Sequence, residues 1–374
     1  MMVTGYRFAM ILSGGVSLIW TDPVNDAGMS WPAVYRIMAA LMAGASVFSM
    51  FSLPKLQVPP AHVHEAGRSP VWRDLVGFLA VLAAVGVGVA LTRVLGEPIA
   101  AWLVSVMSGA AVTKGSLASK WADLLALLLG LAATLPMAAF AARRVRFETL
   151  LSGLDAYFRQ PRAWSFLAFI VFYKLSDAFA LSLMTPFLIK GVGFGLAEVG
   201  VVNKVIGLAL TIFGALLAGA LMLRLRLVRA LFLFGVLQML SNAAFWWLAV
   251  HGKGALPGFL IPAFDIGIVR LANATPVDGG LLLAVATENL ASGMGTAAFV
   301  AFLMSLTNQR FSATQYALLS AFASVGRVWV GPVAGVLAES IGWPTFFVVA
   351  MVMAVPSLML LVALWRPIDA LDKR

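Results

Sequence analysis

The chain has 374 residues, of which 61% are hydrophobic and only 11% are charged, and its formal net charge is +10. Soluble domains carry about 25% charged residues, so the composition excludes a water-soluble globular protein and indicates an integral membrane protein. The basic residues lie between apolar stretches rather than on one face, which argues against nucleic acid as a partner. With no cysteine in the chain, disulfides, thiolate nucleophiles and cysteine metal sites are excluded.

Ten apolar stretches follow one another along the chain, each close to the roughly 20 residues that cross a bilayer as a helix. They lie at residues 6–20, 31–53, 72–95, 121–142, 164–189, 199–223, 228–250, 280–307, 315–340 and 343–365. The sequence therefore predicts an all-α, polytopic membrane protein.

Basic residues concentrate in the loops on one side of these spans. They are Arg143, Arg144, Arg146, Arg159, Arg162, Arg224, Arg226, Arg229, Arg310, Lys373 and Arg374. If the spans alternate in direction, all of these residues face the same side, and the positive-inside rule assigns that side to the cytoplasm. Both ends of the chain are then expected in the cytoplasm.

A repeated pattern relates the beginning of the chain to its end. GYRFAMILSGG (5–15) and VGRVWVGPVAG (325–335) align Arg7 with Arg327, and a Trp-Pro pair opens the next predicted helix in both copies. Repeated halves are common in transporters. We therefore expect the first two spans to correspond to the fifth and sixth helices of a six-helix half, with four helices missing in front of them.

Three regions follow from this comparison. Residues 1–55 are predicted to hold the last two helices of an N-terminal bundle, and residues 161–374 a C-terminal six-helix bundle. Residues 56–160 contain a Pro- and His-bearing linker and two Ala/Leu/Val-rich spans with little polar content. Such spans are typical of the outside of a bundle, which predicts an inserted transmembrane hairpin.

Lys174 and Asp177 lie in the middle of the apolar stretch 164–189. A charge at the centre of a membrane helix costs about 2.5–3.5 kcal/mol on insertion scales, so two of them need a reason to be there. They are one helical turn apart and share a face. Two interpretations remain open: a structural ion pair, or a site that binds substrate or carries a proton.

Glu288 and Asn289 lie about a third of the way into the span 280–307, ahead of several small residues. A desolvated carboxylate at that depth suits proton coupling. The alternative is a structural pair of Glu288 with Lys174, Lys204 or Arg327.

The remaining candidate residues are less distinctive. Asn203 and Lys204 either bind sugar hydroxyls or a carboxylate or extend toward the membrane interface. Gln238 and Asn242 are one turn apart, and paired amides suit either sugar hydroxyls or hydrogen bonds between helices. Arg327 is expected in packing or gating, with substrate contact as the alternative.

Long stretches of the chain resemble the AmpG muropeptide permeases of the major facilitator superfamily. The stretches that carry the resemblance are YKLSDAFALS (173–182), FLIKGVGF (187–194), EVGVVNK (198–204), ENLASGMGTAAFVAFLMSLTN (288–308) and FSATQYALLSAFASVGRVWVGPVAGVLAESIGW (311–343). The resemblance runs from about residue 164 to residue 364, and residues 5–15 are similar to the fifth helix of those permeases. It implies a major facilitator-type bundle that lacks the first four helices of its N-terminal half.

The resemblance also implies a function. Proteins of this family import anhydromuropeptides, the disaccharide GlcNAc–1,6-anhydroMurNAc with or without a peptide, across the bacterial inner membrane. Uptake depends on the proton gradient and on no cofactor, and it serves peptidoglycan recycling and β-lactamase induction. In this context Lys174 would bind a peptide carboxylate, while Asp177 would accept a proton or bind an amide or amine.

Other functions stay open from the residues alone. One is a facilitator that exports another solute, such as a drug or a sugar phosphate. A second is a truncated membrane remnant, scaffold or regulatory partner that does not transport. An intramembrane enzyme is disfavoured because the sequence has no H-E-x-x-H, P-loop or G-x-S-x-G motif, and its three histidines have no metal-like spacing.

Overall fold

The computed structural model describes residues 30–52, 71–109, 112–113, 115–265, 270–271, 274–307 and 312–371. These residues are helical almost throughout, and seven of their helical stretches are long and apolar enough to cross a bilayer. The predicted all-α, polytopic fold is confirmed. The predicted span 6–20, which contains Arg7, and the linker 56–70 lie outside the described residues.

Within the described ranges, five helices precede the predicted C-terminal bundle (residues 161–374). They are α1 (Trp31–Ser52), α2 (Val71–Leu91), α3 (Glu97–Ser108), α4 (Leu117–Arg144) and α5 (Glu148–Phe158), with a π-helical turn, Thr92–Gly96, between α2 and α3.

The end predicted for the third span, at residue 95, is wrong. The helix continues through the π-helical turn and gives an apolar stretch of 37 residues, Trp72–Ser108, which is about 55 Å long at 1.5 Å per residue. Gly96 and Pro98 suggest a stop in the sequence. Pro98, however, lies directly after the π-helical turn, where the register of the backbone hydrogen bonds changes, and the helix continues past it.

The helices of the bundle follow. They are α6 (Ala163–Tyr173), α7 (Leu175–Pro186) with the π-helical stretch Phe187–Val192, α8 (Leu196–Gly200) with the π-helical stretch Val201–Gly207, α9 (Leu208–Met222), α10 (Leu227–His251), α11 (Gly279–Ser305), α12 (Ser312–Ile341), α13 (Trp343–Val352), α14 (Val355–Ala363) and α15 (Trp365–Leu371). These bounds agree with the predicted spans within a few residues.

A β-hairpin connects α10 to α11, where the sequence indicates only a loop. Its strands are β1 (Phe259–Ile261), β2 (Phe264–Asp265), β3 (Arg270–Leu271) and β4 (Thr275–Val277), and they pair antiparallel as β1 with β4 and β2 with β3.

A network of hydrogen bonds fixes the base of this hairpin to the bundle. Asp278 caps α11 by accepting hydrogen bonds from the backbone N–H groups of Gly280 and Leu281. The buried Glu198 accepts from the backbone N–H of Asp278 at 2.9 Å and from Nζ of Lys253 at 3.0 Å. The start of α8, the residues after α10 and the start of α11 are thereby held together.

Small residues set the spacing of the predicted inserted hairpin, α2–α4. A Cβ atom added at Gly88 would lie 2.4 Å from Oγ1 of Thr134, and one added at Gly130 would lie 2.7 Å from Oγ1 of Thr92. A threonine of the other helix thus packs directly against each glycine. Small residues allow the same close approach at membrane helix interfaces in general. At its other face α4 contacts α12, where Lys120 forms an ion pair with Glu339.

Close packing at glycines also brings α9 and α11 together. A Cβ atom at Gly214 would lie 2.4 Å from the carbonyl oxygen of Leu290, and one at Gly293 would lie 2.2 Å from the carbonyl oxygen of Thr211. The two backbones therefore approach so closely that a side chain at either glycine would displace a helix.

Candidate functional site

A layer of buried polar side chains crosses the bundle between two apolar clusters. The first cluster includes Phe166, Phe169, Phe234 and Phe302, and the second includes Phe179, Phe245, Leu281 and Phe346. The polar layer between them consists of Lys174, Asp177, Gln238, Ser241, Asn242 and Glu288, all of which are buried. Sequence reasoning predicted every member of the layer except Ser241.

Lys174 lies where the first membrane span of the bundle is interrupted. Tyr173 ends α6 and belongs to the first apolar cluster, while Leu175 begins α7 and belongs to the second. Between them the backbone of Lys174 has φ −94° and ψ −3°, outside regular helical geometry. Interrupted helices near the middle of the membrane are a recurring feature of transporter binding sites.

The ammonium group of Lys174 connects two helices. Its Nζ lies 3.3 Å from Oδ2 of Asp177 on α7 and donates to Oγ1 of Thr296 on α11 at 3.1 Å. It also lies 5.9 Å from the centre of the Phe299 ring. A buried ion pair is weak support for stability, but removing one partner leaves a buried charge, which costs about 3–5 kcal/mol.

Tyr173 supports this arrangement from the adjacent position. Its hydroxyl donates to the backbone oxygen of Leu231 at 3.1 Å, and its ring stacks on Phe299 with centroids 5.3 Å apart. Tyr173 was missed by sequence reasoning because an aromatic residue beside a span centre gives no functional signal. Its place next to Lys174 is the one feature that could have indicated it.

Glu288 contacts α10 through Ser241. The Ser241 hydroxyl lies within hydrogen-bonding distance of both Oε2 of Glu288 and the backbone oxygen of Gln238, the latter at 2.8 Å. A serine hydroxyl has one proton to donate, so it cannot serve both oxygens. Both contacts become hydrogen bonds if Glu288 is protonated, because Glu288 then donates to Ser241 and Ser241 donates to Gln238.

Among the side chains that the structure describes, the polar layer holds two carboxylates and one ammonium group. Asp177 and Lys174 are both close enough to interact electrostatically with Glu288. Two carboxylates therefore share one ammonium group in a buried environment. One of the carboxylates is expected to hold a proton when no further cation is present.

The two amides on α10 are more deeply enclosed than their sequence pattern indicates. Gln238 is 4% exposed and Asn242 0%, and Nδ2 of Asn242 donates to the backbone oxygen of Gln238 at 3.3 Å. Among the residues that the structure describes, Nε2 of Gln238 and Oδ1 of Asn242 have no hydrogen-bond partner. A buried polar atom left unpaired costs about 1–3 kcal/mol.

Asn289 joins helices rather than pointing into the layer. Its Nδ2 donates to the backbone oxygen of Val285 at 2.8 Å, and its Oδ1 accepts from the hydroxyl of Thr211 at 2.9 Å. This cross-link between α9 and α11 uses both ends of the amide. The structure thus gives Asn289 a packing contact, whereas sequence reasoning grouped it with Glu288.

The other predicted residues lie apart from the polar layer, or their side chains are outside the described part of the structure. Asn203 is half-buried in the π-helical stretch Val201–Gly207, and such irregular turns often occur at functional sites. The side chains of Lys204 and Arg327 lie outside the described part of the structure.

A groove of about 220 Å³ opens between α10 and α11 beside Ser241. Apart from Ser241 and Thr287, its lining is apolar. It is smaller than the roughly 300–1,000 Å³ typical of ligand pockets and offers few polar groups. The groove is therefore unsuited to a disaccharide.

Comparison with known proteins identifies relatives of this chain. It is 50% identical over 214 residues to the anhydromuropeptide permease of Escherichia coli K12, a match that covers 57% of this chain and 39% of that protein. It is 31% identical over 217 residues to a Rickettsia conorii protein named as an AmpG transporter, covering 58% of this chain and 47% of that protein. An uncharacterized Haemophilus influenzae protein is 32% identical over 218 residues.

The Escherichia coli and Rickettsia conorii relatives carry the names of a permease and a transporter rather than of enzymes. The chain spans about two fifths to one half of the length of the curated relatives it matches. No family model matches the chain. The resemblance seen in the sequence is nevertheless confirmed at up to 50% identity, and the matched part of this multi-pass membrane protein is similar to the AmpG permeases.

Proposed function

We propose that the protein takes part in proton-coupled import of anhydromuropeptides across the inner membrane, for peptidoglycan recycling. The similarity to a protein named anhydromuropeptide permease supports the substrate class. The observation that supports proton coupling is the contact of Glu288 with Ser241, whose hydrogen bonds are complete when Glu288 holds a proton.

In this proposal Glu288 is the residue that gains and loses the proton. Its protonated form completes the chain of hydrogen bonds through Ser241 to Gln238. Its ionised form adds a negative charge beside Asp177 and competes for Lys174. Loss of the proton therefore weakens the hold of Asp177 on the ammonium group.

Lys174 is proposed to exchange partners during the cycle. While Glu288 is protonated, Lys174 pairs with Asp177 and Thr296. An arriving peptide carboxylate offers the ammonium group a second anionic partner. Because Lys174 lies at the break between α6 and α7, such an exchange can change the angle between the two helices, as alternating access requires.

The organisation of the chain is part of the same proposal. Residues 161–374 act as the C-terminal bundle, residues 56–160 as the linker and inserted hairpin, and residues 1–55 as the last two helices of an N-terminal bundle. The basic loops and both ends of the chain face the cytoplasm. The lipid bilayer, protons and the anhydromuropeptide are the partners, and no cofactor is involved.

The experiment is uptake into proteoliposomes that contain the purified chain. Radiolabelled GlcNAc–1,6-anhydroMurNAc tripeptide is supplied outside, with an imposed pH gradient that is acidic outside. We expect accumulation that collapses on addition of a protonophore. Absence of uptake by correctly inserted protein would overturn the proposal and favour a non-transporting role. Uptake that does not depend on the pH gradient would overturn proton coupling.

Glu288→Gln separates binding from coupling in the same assay. Gln keeps the size and polarity of the side chain but carries no exchangeable charge. We expect accumulation to be lost while exchange of labelled for unlabelled substrate persists. Thr287→Val is the matched control, because within the described ranges the Thr287 hydroxyl donates to backbone oxygens of its own helix, those of Leu283 and Ala284.

A further inference from the structure

The short helix α5 connects the beginnings of two membrane helices. In its first turn, Oγ1 of Thr149 donates to Oδ2 of Asp74, in the first turn of α2, at 2.6 Å. At its last residue, the ring of Phe158 lies 4.7 Å from the ring of Trp164, at the start of α6. Both α2 and α6 begin on the side of the basic loops, which the positive-inside rule assigns to the cytoplasm. With 11 residues, α5 is about 16 Å long and runs along this surface.

The two sides of α5 differ in polarity. Glu148, Ser152 and Asp155 are exposed, whereas Gly153 and Tyr157 are buried. A helix with one polar and one apolar side that lies along a bilayer places its apolar side at the boundary of headgroups and acyl chains. The leucines of α5 are half-buried and so not fully covered by the protein: Leu150, Leu151 and Leu154.

An arginine with a left-handed backbone flanks α5 at each end. Arg146 precedes the helix with φ 52°, and Arg162 follows it with φ 67°. Among the residues that the structure describes, these are the two with positive φ that are not glycine. This conformation is unfavourable for a residue with a Cβ atom, and glycine adopts it freely. Both arginine side chains are exposed.

The end of α4 shows that the backbone alone favours glycine at Arg146. The N–H of Arg146 donates to the backbone oxygen of Arg143 at 3.2 Å, and the N–H of Phe147 donates to that of Ala142 at 2.9 Å. This pair of bonds is the Schellman motif, in which glycine usually occupies the left-handed position. An arginine in that position indicates that its side chain has a use that outweighs the backbone strain.

The protein leaves the charges of these arginines without a carboxylate partner. In the described part of the chain, Arg143, Arg144, Arg146 and Arg162 form no ion pair. Arg143 and Arg144 lie in the last turn of α4, where they complement the helix dipole. Arg146 and Arg162 lie outside regular helix, so this explanation does not extend to them.

The position of α5 selects the anionic partner. Arginine binds phosphate oxygens through two N–H groups at once. At the level of α5 the available phosphates are those of lipid headgroups, and the acyl chains beneath them can cover the half-buried leucines. An acidic soluble protein would meet the charges but leave the leucines uncovered. Charge and apolar surface together therefore match a phospholipid.

We propose that α5 is a binding surface for anionic phospholipids of the cytoplasmic leaflet, with Arg146 and Arg162 as the residues that bind the phosphates. Arg143 and Arg144 add to the positive potential at one end. Clusters of basic residues at this membrane surface attract anionic lipids. Because α5 joins α2–α4 to the bundle, lipids bound at its two ends stabilise that junction. The surface does not depend on transport.

The first test compares thermal stability with different lipids. Purified protein in a neutral detergent is supplied with phosphatidylglycerol, with phosphatidylcholine or with free glycerol phosphate at equal concentration. We expect phosphatidylglycerol to raise the Tm by a few degrees, because a ligand of the folded state stabilises it. The other two additions should have little effect. An equal rise with phosphatidylcholine or with glycerol phosphate would overturn the proposal.

Two double variants locate the effect. Arg146→Asn/Arg162→Asn removes both side chains while asparagine tolerates the left-handed backbone. Its Tm without lipid should equal or exceed that of the unaltered protein, and its rise with phosphatidylglycerol should be lost. Arg224→Gln/Arg229→Gln removes the same charge from two exposed arginines in another basic loop and should keep the rise. A rise that both variants keep, or that both lose, would overturn the assignment to α5.

A second measurement counts bound lipid and does not depend on thermal unfolding. Native mass spectrometry at equal phosphatidylglycerol should show several-fold fewer lipid adducts on Arg146→Asn/Arg162→Asn than on Arg224→Gln/Arg229→Gln. Equal numbers of adducts on the two variants would contradict the proposal. Neither measurement involves uptake, so their outcome is independent of whether the chain transports anhydromuropeptides.

Discussion

Lys174 and Asp177 form an ion pair in the middle of the bundle, with Nζ of Lys174 3.3 Å from Oδ2 of Asp177. The side chains are only 2% and 7% exposed. Lys174 also reaches Thr296 on α11. The pair therefore ties an interrupted membrane helix to a neighbouring helix. Its structural role and the transport role proposed above lead to separate predictions.

The structural role predicts that removing one of the two charges strongly lowers the free energy of unfolding. Lys174→Met leaves the Asp177 carboxylate buried without its cation, so we expect a loss of about 3–5 kcal/mol in unfolding free energy. The Lys174→Met/Asp177→Leu double variant should recover most of that loss. Detergent-solubilised protein, followed by its unfolding midpoint, provides the measurement.

The matched control for this prediction is the exposed pair of Arg159 and Asp155. Their side chains are 79% and 59% exposed, and exposed pairs contribute about 0–1 kcal/mol. Asp155→Asn should therefore leave the midpoint almost unchanged. A Lys174→Met variant as stable as the control would contradict the structural role.

The proposed transport role predicts a loss of uptake that is not explained by a loss of protein from the membrane. Asp177→Asn keeps the hydrogen-bonding shape of the side chain but frees Lys174 from its anionic partner. We expect uptake per amount of membrane protein to fall to background, as measured by uptake and immunoblot on the same cells, and the immunoblot corrects for any protein lost through the unpaired buried charge. Retained uptake would reject a functional role for Asp177. Ser182→Ala is a suitable control, because among the described residues that hydroxyl donates to the backbone oxygen of Phe179 on its own helix.

The close crossing of α9 and α11 predicts intolerance of any side chain at Gly214. A valine there would collide with the backbone oxygen of Leu290, which cannot move as a flexible side chain can. We expect Gly214→Val to lower the unfolding midpoint and the yield of folded protein. Gly219 lies on the same helix with nothing within 4 Å of an added Cβ, so Gly219→Val should behave like the unaltered protein.

The network at the base of the β-hairpin predicts local loosening rather than global unfolding. Asp278 accepts from Gly280 and Leu281 and, through Oδ2, from the backbone N–H of Gly254 at 2.7 Å. Loss of an N-cap costs about 0.5–2 kcal/mol. Asp278→Ala should therefore speed amide exchange in the first turn of α11, as measured by hydrogen–deuterium exchange.

A simpler cap provides the comparison for Asp278. Ser116 caps α4 with a single hydrogen bond from the backbone N–H of Ser119 at 3.1 Å. Ser116→Ala should accelerate exchange at the start of α4 by less than Asp278→Ala does at α11. Equal effects at the two helices would show that the two additional bonds of Asp278, its second capping bond and its bond to Gly254, contribute nothing.

Much of the candidate site could be predicted from the sequence because a charged or amide side chain in an apolar span is a local signal. Lys174, Asp177, Gln238, Asn242 and Glu288 all stand out in this way, and all five lie in the polar layer. Ser241 and Tyr173 do not stand out, because a serine or tyrosine in a membrane helix is common. Only their contacts with Glu288 and Leu231 show their place.

The sequence by itself determined the class of the protein, the positions of its spans and the residues that occupy the middle of them. Hydropathy and helical spacing depend on neighbouring residues alone, so these features need no knowledge of packing. The tertiary structure decided which polar groups meet and which remain unpaired. It also decided that α3 continues α2, that a β-hairpin precedes α11, and that glycines set the distance between α9 and α11. Those features depend on how separate helices cross, and crossing is set by contacts between residues far apart in the chain.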